Sequence, residues 1–518
     1  MSETGRVLKP ANENPWYVLM TLYGEQDGEE VDRELHAKNR AAWNAWAGQG
    51  MNLAEQQKTA TAAEVDLAEM QGWPTLRETI EARYLNAITD RNGWQQKVPT
   101  LPSVRKAIEL SDLKFGLTLC CNNFVFPELL VVNNSYFDNR TSFTGALFEQ
   151  GLLSKASVFR EYADFSSAKF VNAALFLGGT FGSRVLMDSV NFFKESDFVS
   201  VNFESDAFFT NSIFHGLVGF NCAKFDGDAF FGLAEFKENA EFCPTVFKGI
   251  AGFRDVTFHK QVGFIEAKFD GEAGFDRSVF LGDADFGKSR FSELSYFTET
   301  KFGTQGANVK VSFSDSQFLR SANFREARFH SCYPALAGAM LHDKTLFTAK
   351  SEFWPKASSL DPEQAKASCA AIRHNLGKQG LPEEEHFFFR REMGFTLEIE
   401  RGWRRVPYWF FKVLSDFGES IERPVTALCW LWFVPTLIYA AFSLTGQICD
   451  DLEVLLRSAA LSVANLFPLF GFQRIWFDPT GFAALSPWLK VLGGLQTVVS
   501  LPLLFFFALG LRTRFRMR

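Results

Sequence analysis

The sequence predicts a mainly β protein, a repeat solenoid with an α-helical cap before it and an α-helical membrane domain after it. Three observations carry that expectation. From Phe159 to Phe302 a bulky residue returns at alternating steps of 5 and 6, with Met187 filling the one slot that lacks Phe. Composition changes on either side of this ladder. Two long uncharged runs, 425–444 and 491–511, stand near the carboxyl end.

The ladder is clearest in "FNCAKFDGDAFFGLAEFKENAEFCPTVF", which holds Phe220, Phe225, Phe231, Phe236, Phe242 and Phe247 and continues into Phe253 and Phe258. Helix faces repeat at 3.6 and strand faces at 2, so the spacing belongs to a larger repeating unit. The residue two before each slot is small: every such position from Ser157 to Thr300 is Gly, Ala, Ser, Thr or Val. Residues two apart share one face of an extended segment, so large and small point inward together. The chain has 59 Phe against 9 Tyr, and apolar shape without a hydroxyl suits an interior stack. Six-residue steps place Gly216, Gly227, Gly249, Gly271 and Gly282 two after the Phe, as if an extra corner residue needed positive φ.

This pattern resembles the pentapeptide-repeat family, in the variant built on a phenylalanine-centred 11-mer such as "AKFDGDAFF". The resemblance implies a right-handed, quadrilateral β-helix with four sides in 22 residues. Between Phe137 and Phe329 it implies about nine coils, or roughly 40 Å at ~4.8 Å per strand. After Phe302 the next Phe is 313, and "GTQGANVKVS" reads as an irregular loop that changes which side carries the long corner.

Four regions follow: a helical capping region 1–110, the β-helix 111–332, a helical linker with an interfacial helix 333–422, and a two-span membrane module 423–518. In the first, Leu35, Ala42, Trp43 and Trp46 fall on one helical side that ends at Gly48 or Gly50, and "FGLTLCCNNFVFPELLVVNNSYF" reads as a degenerate first coil. Capping protects exposed strand edges at a solenoid end. In the third, a helix, a Gly-Pro break and a second helix are expected, with Pro382 and Glu383 to Glu385 at a helix start. His386 lacks a second ligand at metal spacing, so a solvated helix start is the better reading. "RGWRRVPYWFFKVLSDFGESIERP" mixes aromatic residues with cations, as an interfacial amphipathic helix does; a buried junction with the rod fits it equally well.

Each uncharged run can span a ~30 Å bilayer core. Trp430, Trp432, Trp476 and Trp488 fall near the expected interfaces. Arg401, Arg404, Arg405, Lys412 and Arg423 precede the first run, and Arg512, Arg514, Arg516 and Arg518 follow the second. Only Arg457, Arg474 and Lys490 lie between, so the positive-inside rule puts both termini and the β-helix in the cytoplasm, and with the family resemblance the expected location is a bacterial inner membrane. Between the spans, "LLRSAALSVANLFPLFGFQRIWF" is too short and too interrupted for a third span. A re-entrant segment 452–475, broken after Asn465 by Pro468 and Gly471, completes a pore-like layout. The last part resembles the two-span, ion-channel-like modules that end some bacterial pentapeptide-repeat proteins. Yet "NLFPLFGF" is not a potassium filter. The candidate pore residues are Asn465 as a polar ring, Phe467, Leu469 and Phe470 as a hydrophobic constriction, and Pro468 and Gly471 as the breaks.

No P-loop, GxGxxG, GxSxG or HExxH is present, so no enzyme class gains a foothold and no cofactor or metal is expected. A net charge of -7 gives no basic footprint for nucleic acid. Some soluble pentapeptide proteins are acidic DNA mimics acting on topoisomerase, but a membrane tether does not suit a decoy. The eight cysteines have no CxxC pair and read as reduced, mostly buried thiols. The expected function is a non-enzymatic membrane protein whose β-helix is a sensor or assembly platform for an oligomeric two-span pore. Its expected partners are the lipid bilayer, further copies of the chain and a cytoplasmic protein on the β-helix. The alternative is a membrane-anchored protein-binding scaffold with no conductance.

Overall fold

The computed structural model describes residues 8–28, 30–92, 99–304, 306, 308–355, 361–443, 451–472 and 485–516. They fall into two compact units, Met1–Leu360 and Asp361–Arg518.

The first unit is a parallel β-solenoid of about 11 turns, longer than the nine expected because coils form on both sides of the regular ladder. Its short strands form four parallel sheets of 11, 10, 11 and 10 strands, and successive strands enter different sheets. Register advances by one coil at a time: Val158–Phe159 pairs with Thr180–Phe181, which pairs with Asn202–Phe203. The ladder residues Phe220, Phe225, Phe231, Phe236, Phe242, Phe247, Phe253 and Phe258 are all at most 1% exposed. In one column Phe198, Phe220, Phe242, Phe264 and Phe286 stack at 4.8–5.0 Å with nearly parallel planes. That spacing is the distance between neighbouring strands, so one geometry serves backbone and rings. At several positions where the small inward residue carries a hydroxyl, the group donates to a carbonyl of the preceding coil. Thr245 Oγ1 donates to Phe220 O at 2.7 Å, and Thr300 Oγ1 to Phe275 O at 2.7 Å.

The corners invert the glycine expectation. Gly216, Gly227, Gly249, Gly271 and Gly282 are not left-handed. A Cβ on Gly249 would lie 2.5 Å from Gly227 O, and one on Gly271 would lie 2.2 Å from Gly249 O, so these glycines permit backbones of successive coils to touch. Positive φ sits in the five-residue steps, two after the Phe, mostly on residues with a Cβ. Ser200, Asn211, Cys222 and Leu233 follow one another at 11-residue intervals with φ of 57–62°. Each closes a turn, as when Ala223 N donates to Phe220 O at 3.0 Å. Where the next such residue would fall stands Pro244, whose ring forbids positive φ. Leu233 is 58% exposed, so its side chain contributes little packing there. Leu233→Gly is expected to stabilise the protein by ~1 kcal/mol and Gly249→Ala to destabilise it by about 1–3 kcal/mol, both measured as denaturant midpoints.

The irregular stretch after Phe302 does not change the side that carries the long corner. Phe313 stacks on Phe286 at 4.8 Å and Phe318 on Phe291 at 4.6 Å, so both columns continue. The extra residues fall between the strands Lys301–Phe302 and Val311–Ser312, because placing them within a strand would turn inward rings outward.

Both ends are closed by tryptophan. Helices α1 (Pro15–Met20), α2 (Arg33–Gly48), α3 (Leu53–Ala63), α4 (Leu67–Met70) and α5 (Trp73–Asn92) precede the coils. Asp32 caps α2 by accepting from Glu34 N and Leu35 N. Trp43 of α2 lies 5.7 Å from Phe124 and 5.5 Å from Phe126, and its indole donates to Val125 O at 2.7 Å. Asn44 accepts from Val125 N at 3.0 Å, which satisfies a first-coil amide that no earlier strand could. Ala42, Trp43 and Trp46 are buried as their spacing predicts, while Leu35 is half-buried. At the other end Leu346–Phe347 continues a sheet on Asn323 and Phe324, and Trp354 covers Phe329 at 4.9 Å and Tyr333 at 5.3 Å.

The second unit is helical. Its helices are α6 (Pro362–Lys378), α7 (Pro382–Ile399), α8 (Arg405–Ser415), α9 (Glu422–Ser443), α10 (Asp451–Leu466) and α11 (Pro487–Arg516). Pro362 and Pro382 sit in the first turns of α6 and α7, where a missing N–H costs nothing.

Candidate membrane site

Two helices are long and apolar enough to cross a membrane, Glu422–Phe442 and Pro487–Phe515, with mean hydropathies of 1.8 and 1.9. Only 17% and 22% of their apolar windows are buried, whereas the core helix of a water-soluble domain would be mostly covered. They meet along one side. Phe442 packs against Trp488 at 4.6 Å, and Tyr439 and Leu489 join Leu461 of α10 in a small apolar core.

Inside that contact lies a hydrogen-bonded amide cluster. Gln496 of α11 donates to Leu431 O at 3.0 Å and to Ser462 Oγ at 2.6 Å. Asn465 of α10 donates to Tyr439 Oη at 3.2 Å and to Gln496 Oε1 at 3.3 Å. Ser462 donates to Trp432 O at 2.8 Å, and Thr497 to Asn465 O at 3.0 Å. Asn465, Ser462 and Gln496 are at most 2% exposed. Gly493 makes room for them, since a Cβ there would sit 3.2 Å from Asn465 Nδ2. In an apolar surrounding such amides are held because each has a partner, and here the partners tie three helices together.

Helix α10 runs to Leu466, one residue past the break anticipated at Asn465. A 3₁₀ turn, Pro468–Phe470, follows, and Gly471 takes the left-handed conformation with φ 71°. Phe467 and Pro468 are half-buried, while Leu469 and Phe470 are 82% and 65% exposed. Phe467 and Phe470 meet edge to face at 6.1 Å. The candidate residues thus divide. Asn465 turns into its own chain, and Leu469 and Phe470 present an apolar tip. Residues 473–475, Arg474, Trp476, Cys449 and Arg518 lie outside the described residues.

Gln496, Tyr439 and Ser462 were not singled out from sequence, although a lone amide in an otherwise apolar run was the available signal. The thiols are also more exposed than expected: of the seven described, Cys120, Cys121 and Cys369 are buried, but Cys222 and Cys429 are exposed. Among the described residues no group of three or more His, Cys, Asp or Glu could hold a metal ion. His386 stacks on Phe389 at 5.8 Å, and burial lowers its pKa. Beside it Arg390 pairs with Asp416 at 2.8 Å and with Glu419, fastening α7 to the turn after α8. No family model, curated protein or solved structure matches the chain, so the pentapeptide-repeat likeness rests on the ladder itself.

Proposed function

We propose that this chain is a non-enzymatic protein of a bacterial inner membrane, with both termini and the β-helix in the cytoplasm. In that reading α9 and α11 span the bilayer, and several copies assemble around their α10 tips into a pore. One hairpin cannot enclose a path, so a symmetric ring is required. The observation that carries the reading is the short helix α10, fixed between two apolar helices by Gln496 and followed by a turn that exposes Leu469 and Phe470. Brought together by symmetry, those side chains form a hydrophobic constriction that closes by dewetting. The solenoid, wound right-handed as in the proteins it resembles, is the sensor or assembly platform. Purified full-length protein is expected to form oligomers in nanodiscs and to pass current in planar bilayers; a strict monomer without conductance overturns the pore.

A scaffold that is anchored but does not conduct is favoured by a different observation. Asn465, Gln496 and Tyr439 are buried and hydrogen-bond one another and the neighbouring helices, so they line no polar path for ions within one chain. Bilayer currents separate the two readings.

Topology has its own test. Cys369 is fully buried and cannot report on the compartment, whereas Cys222 is exposed on the solenoid. With the other thiols replaced, Cys222 is expected to react with an impermeant maleimide only after spheroplasts are permeabilised. Labelling in intact spheroplasts would place the solenoid outside.

A further inference from the structure

Helix α8 and the two candidate spans enclose an apolar groove of about 960 Å³, within the size range of pockets that hold whole ligands. Pro407 and Phe410 line it from α8, Trp430 and Pro435 from α9, and Val498 and Pro502 from α11. Pro435 and Pro502 both lie inside their helices, where proline removes a backbone hydrogen bond and bends the axis. Two such residues on the same groove explain why the helices leave a slot there. Phe411 stacks on Phe506 at 5.5 Å, which fixes α8 alongside α11 and forms one wall.

The rim of the groove has a different chemistry. Arg404 and Arg405 stand at the head of α8, just before Pro407; both are exposed and, among the described residues, unpaired. Trp403 beside them is 89% exposed, and Trp409 and Phe410 are about half exposed on the same short helix. Cations and tryptophan at one end of an apolar slot match the order of a phospholipid, with its headgroup at the interface and its chains below. A second copy of this module is the poorer occupant. A two-fold contact would bring the same arginines against each other, and in a ring built around the α10 tips this groove between α8, α9 and α11 is not the face that the tips share.

We propose that the groove between α8, α9 and α11 is a binding site for one anionic phospholipid, its headgroup held by Arg404 and Arg405 and an acyl chain seated against Pro435 and Pro502. The proposal rests on the membrane reading above. The lipid would couple α8, and through it the turn at Asp416 that Arg390 grips, to the membrane's anionic charge.

The test is native mass spectrometry of the full-length protein after equilibration with equal phosphatidylglycerol and phosphatidylcholine. One retained phosphatidylglycerol is expected, favoured roughly thirty-fold over phosphatidylcholine, the factor set by two headgroup-cation contacts. Arg404→Gln with Arg405→Gln should abolish the preference while leaving residual retention of either lipid. Ala427→Phe, which narrows the groove, should lower retention of both. Equal retention by the unmodified chain, or unchanged retention in both variants, overturns the site. Alkaline carbonate extraction is run in parallel. A chain that stays in the membrane pellet but shows no lipid preference refutes the site alone, and a chain released into the supernatant refutes the membrane reading with it.

Discussion

Phe242→Ala is expected to lower the stability of the solenoid by ~3–5 kcal/mol, the cost of an aromatic cavity in a packed core. Phe242 stacks on Phe220 at 5.0 Å and Phe264 at 4.8 Å, and meets Phe231 and Phe253 edge to face at 5.6 and 5.4 Å. With Phe236 and Phe247 also within ring contact, its loss unsupports six neighbouring rings. They cannot collapse into the gap, because each is pinned by its own strand register. Phe231→Ala should behave alike. The control is Lys237→Ala. Lys237 is half-exposed and pairs with Glu235, a surface ion pair of the kind worth at most ~1 kcal/mol. Chemical denaturation of the three variants checks the ordering, and equal losses for Phe242 and Lys237 would contradict an inward ladder.

The second large effect is functional. In the pore reading, Phe470→Ser hydrates the constriction and is expected to raise leak current by an order of magnitude or more, with Phe467→Ser following. The same change at Phe505, 63% exposed on α11, should leave the leak unchanged. Phe506 is unsuited as a second control because it packs on Phe411. Asn465→Leu probes a different quantity. It breaks the bonds to Tyr439 and Gln496, at a cost of about 0.6–1.7 kcal/mol for a hydrogen bond between membrane helices. Planar-bilayer recordings of Phe470→Ser against Phe505→Ser settle the comparison; no difference between them would leave the anchored scaffold.

The ladder was legible because large and small residues alternate with a fixed period, and that period alone dictates which side chains face inward. The corners were not. The left-handed residue recurs at 11-residue intervals, but its identity ranges over Gly, Ala, Ser, Asn, Cys, Leu, Asp, Glu, Arg and Lys, so composition conceals it. Glycine marked the other corner for a reason that sequence does not display, the approach of a backbone one coil away. Trp354 escaped notice because a cap is defined by the rings it covers. At the candidate site the break after α10 was readable from Pro468 and Gly471. The inward turn of Asn465 was not, since it depends on Gln496, distant in sequence and brought near only by packing.

The 11-residue unit of the sequence is half of the 22-residue coil through which strands pair, and the two behave differently under insertion and deletion. Removing one full coil, such as 231–252, rejoins every column to its own continuation and shortens the stack by one storey. Removing 11 residues also preserves the alternation of Phe and small residues, yet everything downstream restarts two sides later. The chain would then leave the stack from a different one of the four sheets at Trp354. Stack height and exit direction are thus separately adjustable, one by whole coils and the other by halves, without altering a single interior contact type.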